Sequence, residues 1–147
     1  MLAYFAVGLI DAGIGLIVGR LVFDVPFRGS FLVLVVSTCL FLFGSLFWGI
    51  FISAAARNQV AAYQLGMLTT FLPGFLLSGF VFAINTMPKA IQVISIVVPA
   101  RYFVDVLKRV FMKGTGFAAI GAELIFLLLY ASIVFVMSVR RMNQKVA

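Results

Sequence analysis

The side chains able to do chemistry are few: Asp11, Asp24, Asp105 and Glu123 are the only carboxylates, eleven Lys and Arg accompany them, Cys39 is the one thiol, and His is absent. Nucleophilic catalysis by a Ser-His or Cys-His set is thereby excluded, and a metal cluster or internal disulfide has too few ligands. Cys39 reads as a small apolar filler. A phosphate-binding loop needs Gly-Lys-Ser/Thr, and none of Lys89, Lys108, Lys113 and Lys145 stands in that context, so no ATP site of this kind is expected. No residue set has catalytic spacing, and the chain is not expected to be an enzyme.

The carboxylates inside apolar runs carry more information. Asp11 lies in the middle of one, where insertion costs about 2.5–3.5 kcal/mol, so it must face protein, water or a partner. Gly8, Ala12, Gly15 and Gly19 form a small-residue stripe flanked by Asp11, through which the first run is expected to pack. Asp11 is either a polar point on a transport route or a hydrogen-bonded glue between helices. Glu123 stands near the start of the last apolar run, where it caps the helix or handles an ion or proton. Ser45, Gly49 and Ser53 recur every four residues as a second packing stripe.

What must position these residues is lipid-embedded helix. Of 147 residues, 65% are apolar and 10% charged, with mean hydropathy +1.25, far above soluble domains. A water-soluble fold is ruled out, and the length holds about four spans. The formal charge of +7, scattered among apolar runs, points to anionic headgroups rather than nucleic acid. The expected spans are 2–23, 31–52, 60–83 and 117–139. The first contains Asp11 and lacks a basic leader, so it is expected to be a true span and not a cleavable signal. In the third, Pro73 removes an amide hydrogen and predicts a kink, with the Thr69 or Thr70 hydroxyl or a neighbouring helix satisfying the orphaned Thr69 carbonyl.

Between the third and fourth spans lie two helices too short to cross. The stretch NTMP at 85–88 predicts a start capped by Thr86 or Asn85 with Pro88 in the first turn, Pro99 breaks the pair, and Gly114 offers a left-handed end. On the second helix Arg101, Asp105, Lys108 and Arg109 share one side, opposite Phe103, Val106, Leu107 and Val110. This predicts a re-entrant or interfacial hairpin over 86–113, or an ordinary surface helix pair. Four spans place both chain ends on one side with Arg57, Arg140, Arg141 and Lys145, which anchor that side. Arg28, Lys89, Arg101, Lys108, Arg109 and Lys113 fall opposite, so the positive-inside count favours the side without the termini as cytoplasmic.

An ordered set of stretches, FDVPFRGS at 23–30, SAAARNQ at 53–59, LPGFLLSGFVF at 72–82, NTMP at 85–88 and VPARYFVDVLKRVFMKGTGF at 98–117, resembles the C-terminal half of an ABC type-2 transporter permease. The resemblance covers nearly the whole chain. It implies an all-helical integral membrane protein carrying the family's spans three to six in a single transmembrane domain, 1–147, with both ends cytoplasmic, against the charge count. It further implies a bacterial inner-membrane exporter of drugs, lipids or polysaccharide, working with a second, identical or different, permease subunit. ATP and Mg would be handled by cytoplasmic ATPase partners, this chain binding no cofactor itself. The family's first two spans, its external domain and its Arg-Glu-x-Gly-Thr type segment have no counterpart here, so a partial permease is expected.

Under that resemblance Pro73, Gly74, Ser78 and Gly79 would form a deformable gate, with Asp11 a further candidate on the translocation path. Pro88, Pro99, Arg101, Tyr102, Asp105 and Arg109 would belong to an outer hairpin held at the headgroups. Two rivals remain open: a proton-coupled secondary transporter using Asp11 or Glu123, and a non-transporting membrane scaffold assembling partners through its Gly and Ser stripes.

Overall fold

The computed structural model describes residues 2–22, 24, 26, 28–79, 81–113 and 117–146, with side chains in the last helix from 120 to 142. The cap expected at Gly114, parts of the FDVPFRGS and LSGF motifs, and the side chain of Lys145 lie outside these residues. The described residues are helical, without strands, and include four helices long and apolar enough to cross a membrane: α1 (Leu2–Leu21), α2 (Phe31–Ala55), α3 (Gln59–Leu77) and the last helix. Between α3 and that helix lie α4 (Lys89–Ser95) and α5 (Pro99–Lys113), a pair bent by 88°. The last helix, α6 (Phe117–Val146), follows. The bend falls where Pro99 starts α5, as the sequence required.

Helix α2 is the centre of the bundle, with α1, α3, α5 and α6 all packing against it. Its tightest partner is α6, which buries Ile120, Leu127, Ala131, Val134 and Ser138 along one stripe. Val33 and Leu34 of α2 meet Val106 and Val110 of α5 and Ile120 of α6 in one buried cluster. The α1–α2 connection reaches the same end, for a Cβ on Gly29 would lie 2.7 Å from the Val110 carbonyl oxygen. Only glycine fits there. Polar groups inside the bundle bond to nearby carbonyls: Ser37 and Thr38 donate to Leu34 O at 2.9 and 2.8 Å, and Ser138 donates to Phe47 O at 2.6 Å. In hydrocarbon such pairing is what makes a hydroxyl tolerable.

Several boundaries differ from the sequence expectation. Helix α2 runs on through Ser53, Ala54 and Ala55, since alanines extend a helix at little cost. Helix α6 continues past Val139 to Val146. Helix α1 ends at Leu21. Helix α3 stops at Leu77 rather than Ala83, because Gly79 takes φ +77°, a left-handed conformation that ends the helix. At 19 residues it still spans about 28 Å.

Ahead of Pro73 the helix makes a π-helical turn over Met67–Phe71, in which the Leu72 amide donates to Met67 O, five residues back. One extra residue in the turn changes the helical register ahead of the proline, and both features mark places where helices bend. The Thr69 hydroxyl donates to Leu65 O at 2.6 Å and so does not serve the Thr69 carbonyl. The capping expected at Asn85 or Thr86 is also corrected. Ile84–Thr86 is a single 3-10 turn, Thr86 Oγ1 donates backwards to Ala83 O, and Pro88 itself is the N-cap of α4, without a side-chain bond.

Candidate functional site

Helices α3 and α6 each lean on α2 rather than on one another. The space between them is a cleft of about 640 Å³, floored by Phe41, Ser45 and Trp48 of α2 and closed at one end by the α4–α5 hairpin. Thr69, Thr70, Pro73, Gly74 and Leu77 form the α3 wall, and Phe126, Tyr130 and Val134 belong to the α6 wall. No lining side chain is charged. The volume is that of a pocket for a drug-sized molecule.

The walls are fixed by specific contacts. Trp48 Nε1 donates to Thr69 Oγ1 at 3.3 Å, joining the floor to the π turn of α3. The Tyr130 ring lies so close to α2 that a Cβ on Gly44 would sit 2.5 Å from its Cε1. Gly44 therefore seats Tyr130. Phe126 stacks on Tyr102 with centroids 3.7 Å apart, and Phe41 stacks on Phe103 at 4.6 Å.

The hairpin's charged residues bond to neighbouring segments of the protein. Arg101 Nη1 donates to Ser95 Oγ at 2.7 Å and Tyr102 Oη to Ile96 O at 2.9 Å, fastening α5 to the end of α4. Lys108 Nζ donates to Gly79 O at 2.6 Å. Arg109 Nη2 meets Glu123 Oε1 at 2.9 Å, with side-chain exposures of 39% and 12%. Glu123 is thus an ion-pair partner of the hairpin rather than a helix cap. Its Oε2 is buried and has no hydrogen-bond partner among the described residues. Asp105 is half-buried.

Of the sequence candidates, Pro73, Gly74, Pro99 and Ser45 come together around the cleft. Ser78 is buried and Gly79 offers its carbonyl to Lys108, both at the hairpin end. Pro88 lies at the start of α4. Asp11 stays apart, exposed on α1, which buries no residue. Of the α1 stripe, Ala12 is half-buried and Gly8 approaches α2, where a Cβ would lie 3.0 Å from Leu42; Gly15 and Gly19 face open space. The α2 stripe is corrected too: Gly49 has nothing within 4 Å and Ser53 is exposed, while Gly44 makes the close approach. The spacing argument missed Gly44, although it stands seven residues after buried Ser37 on the same face, a seam period the sequence does display. The links from Lys108 to Gly79, Trp48 to Thr69 and Ser138 to Phe47 join distant segments and leave no local signal.

Residues 1–140 match the family model described as ABC-2 family transporter protein. The chain belongs to the ABC-2 transporter family. The probable multidrug ABC transporter permease YbhS of Escherichia coli (strain K12) is 35% identical over 128 residues, 87% of this chain and 34% of that protein. YbhR of the same strain, also a probable multidrug ABC transporter permease, is 27% identical over 75% of this chain and 30% of its own length. The inner membrane transport permease YhhJ, again from that strain, is 28% identical over 85% of this chain and 33% of its own. The chain thus spans about a third of the length of these curated relatives. No solved structure matches. For an ABC-2 family chain, the four apolar helices and the bent pair describe a multi-pass membrane protein.

Proposed function

We propose that this chain forms part of the permease of an ATP-driven exporter in the bacterial inner membrane, carrying drugs, lipids or polysaccharide out of the cytoplasm. The single observation that supports this reading best is the ABC-2 family match over residues 1–140, and the cleft at the depth of the spans gives it a physical site. A second permease subunit completes the path, and cytoplasmic ATPases bind ATP and Mg. Both chain ends are cytoplasmic, with the hairpin outside. Transport proceeds by alternating access, ATP-driven closure of the partners favouring one of two states that differ in affinity for cargo. Pro73 and Gly74, beside the π turn, form the deformable wall.

The test is efflux of a lipophilic dye from cells producing the protein with its ATPase. Loss of efflux on inactivating the ATPase, with indifference to an uncoupler at constant ATP, supports the proposal. The reverse pattern assigns the flux to a proton-coupled carrier using Asp11 or Glu123, and partner binding without flux assigns a scaffold. Pro73→Ala is expected to lower efflux more than it lowers the amount of protein in the membrane; unchanged efflux removes Pro73 from the gate.

A further inference from the structure

Resting on the transport reading, we infer that the cleft between α3 and α6 binds an uncharged lipophilic molecule bearing a hydrogen-bond acceptor, received sideways from the bilayer and recognised by the Tyr130 hydroxyl. The charge restriction follows from the lining, which offers no ionised side chain. A charged ligand there would lose its hydration with nothing in return. Polysaccharide does not suit this cleft for a related reason, since its many hydroxyls would meet an almost wholly apolar wall.

The polar atoms of the wall narrow the choice. Trp48 Nε1 and the Thr69 hydroxyl are already bonded to one another, and Thr69 also to Leu65 O. Ser45 and Thr70 are short enough to bond to a carbonyl of their own helix one turn back. Tyr130 is too long for that, and among the described residues its hydroxyl, like those of Ser45 and Thr70, makes no hydrogen bond. Its ring is held against Gly44, which fixes the ring beside the cleft that it lines. A hydroxyl left unbonded away from water costs about 1–3 kcal/mol, and an acceptor on the ligand removes that cost. Phe41, Trp48 and Phe126 supply aromatic surface for the rest of the molecule.

The direction of access follows from exposure. Thr70, Leu129, Ile133 and Met137 line the cleft and are exposed, so the proposed route of entry is through the side that they leave open. Two sources share the required chemistry: a neutral membrane lipid such as diacylglycerol, and a foreign lipophilic compound dissolved in the bilayer.

Trp48 is the single tryptophan of the chain and lies in the floor, so its fluorescence in the full chain reconstituted into vesicles reports occupancy. Two brominated quenchers separate the sources, dibrominated diacylglycerol and 4-bromobenzophenone, with a brominated quaternary ammonium compound as the charged control. Saturable quenching by either neutral probe is expected, with linear behaviour of the charged one, and the probe that saturates names the source. Tyr130→Phe should weaken the saturating Kd by about 5- to 30-fold. Gly74→Leu, which fills the cleft from the α3 wall, should remove saturation while circular dichroism and the elution profile stay those of the parent. The inference is overturned by linear quenching from both neutral probes, by an unchanged Kd in Tyr130→Phe, or by equal saturation with the charged probe. Binding needs no ATPase, so the two readings fail separately: saturation without efflux defeats only transport, and efflux without saturation defeats only this site.

Discussion

Adding one methyl group at Gly44 should separate the contact between α2 and α6. An alanine Cβ there would stand 2.5 Å from Tyr130 Cε1 and 2.7 Å from Cδ1, with Ala131 Cα at 3.5 Å closing the other side. Carbon atoms rest at about 3.5–4.0 Å, so the shortfall is about 1 Å, and either the ring leaves its seat or the helices part. Overpacking of this kind costs about 1–3 kcal/mol, while replacing glycine by alanine within a helix returns about 0.5–1 kcal/mol. The net expectation for Gly44→Ala is a loss of about 0–2.5 kcal/mol. Gly49 is five residues on in the same helix and has nothing within 4 Å, so Gly49→Ala should instead gain about 0.5–1 kcal/mol. Reversible unfolding in mixed micelles, followed by circular dichroism as SDS is added, measures both. Combining Gly44→Ala with Tyr130→Ala should cost less than the sum of the single changes, because the clash is shared. The packing argument is refuted if Gly44→Ala is as stable as Gly49→Ala, or if the double variant is strictly additive.

Two further outcomes follow from the polar contacts. Arg109→Ala leaves Glu123 buried without its ion-pair partner, and should cost about 1–3 kcal/mol, less than the 3–5 of a fully buried pair because Arg109 is partly exposed; Arg109→Ala with Glu123→Gln should recover part of the loss in the same unfolding assay. Asn58 caps α3 by accepting from the Ala61 amide at 2.7 Å, so Asn58→Ala should cost about 0.5–2 kcal/mol and Asn58→Asp almost nothing, read as amide exchange in the first turn of α3.

The four spans were legible because hydrocarbon imposes a length and a composition that a single sequence displays. The bend at Pro99 was legible because proline acts on its own backbone. The π turn ahead of Pro73 was not, since the local residues do not distinguish it from an ordinary turn and its bond to Trp48 comes from twenty-one residues away. The same holds for the hairpin. Arg101, Lys108 and Arg109 share a helical side by periodicity, which suggested headgroups, yet each finds a partner at short range in Ser95, Gly79 or Glu123. Periodicity gives the direction of a side chain and nothing about what waits there. The cleft itself could not be read, being the space left where α3 and α6 each lean on a shared neighbour.

Lys108 and Arg109 are consecutive residues of one short helix, yet the first holds the end of α3 and the second holds α6. Both jaws of the cleft are therefore clamped at the same point. Away from it, α6 is fastened to α2 by the Ser138 bond to Phe47, whereas the Trp48 bond to Thr69 that steadies α3 is a long one at 3.3 Å. Of the two jaws α3 is the less firmly tied to its support along its length, and since residues 56–58 join its far end directly to α2, what freedom it has lies between two anchored ends.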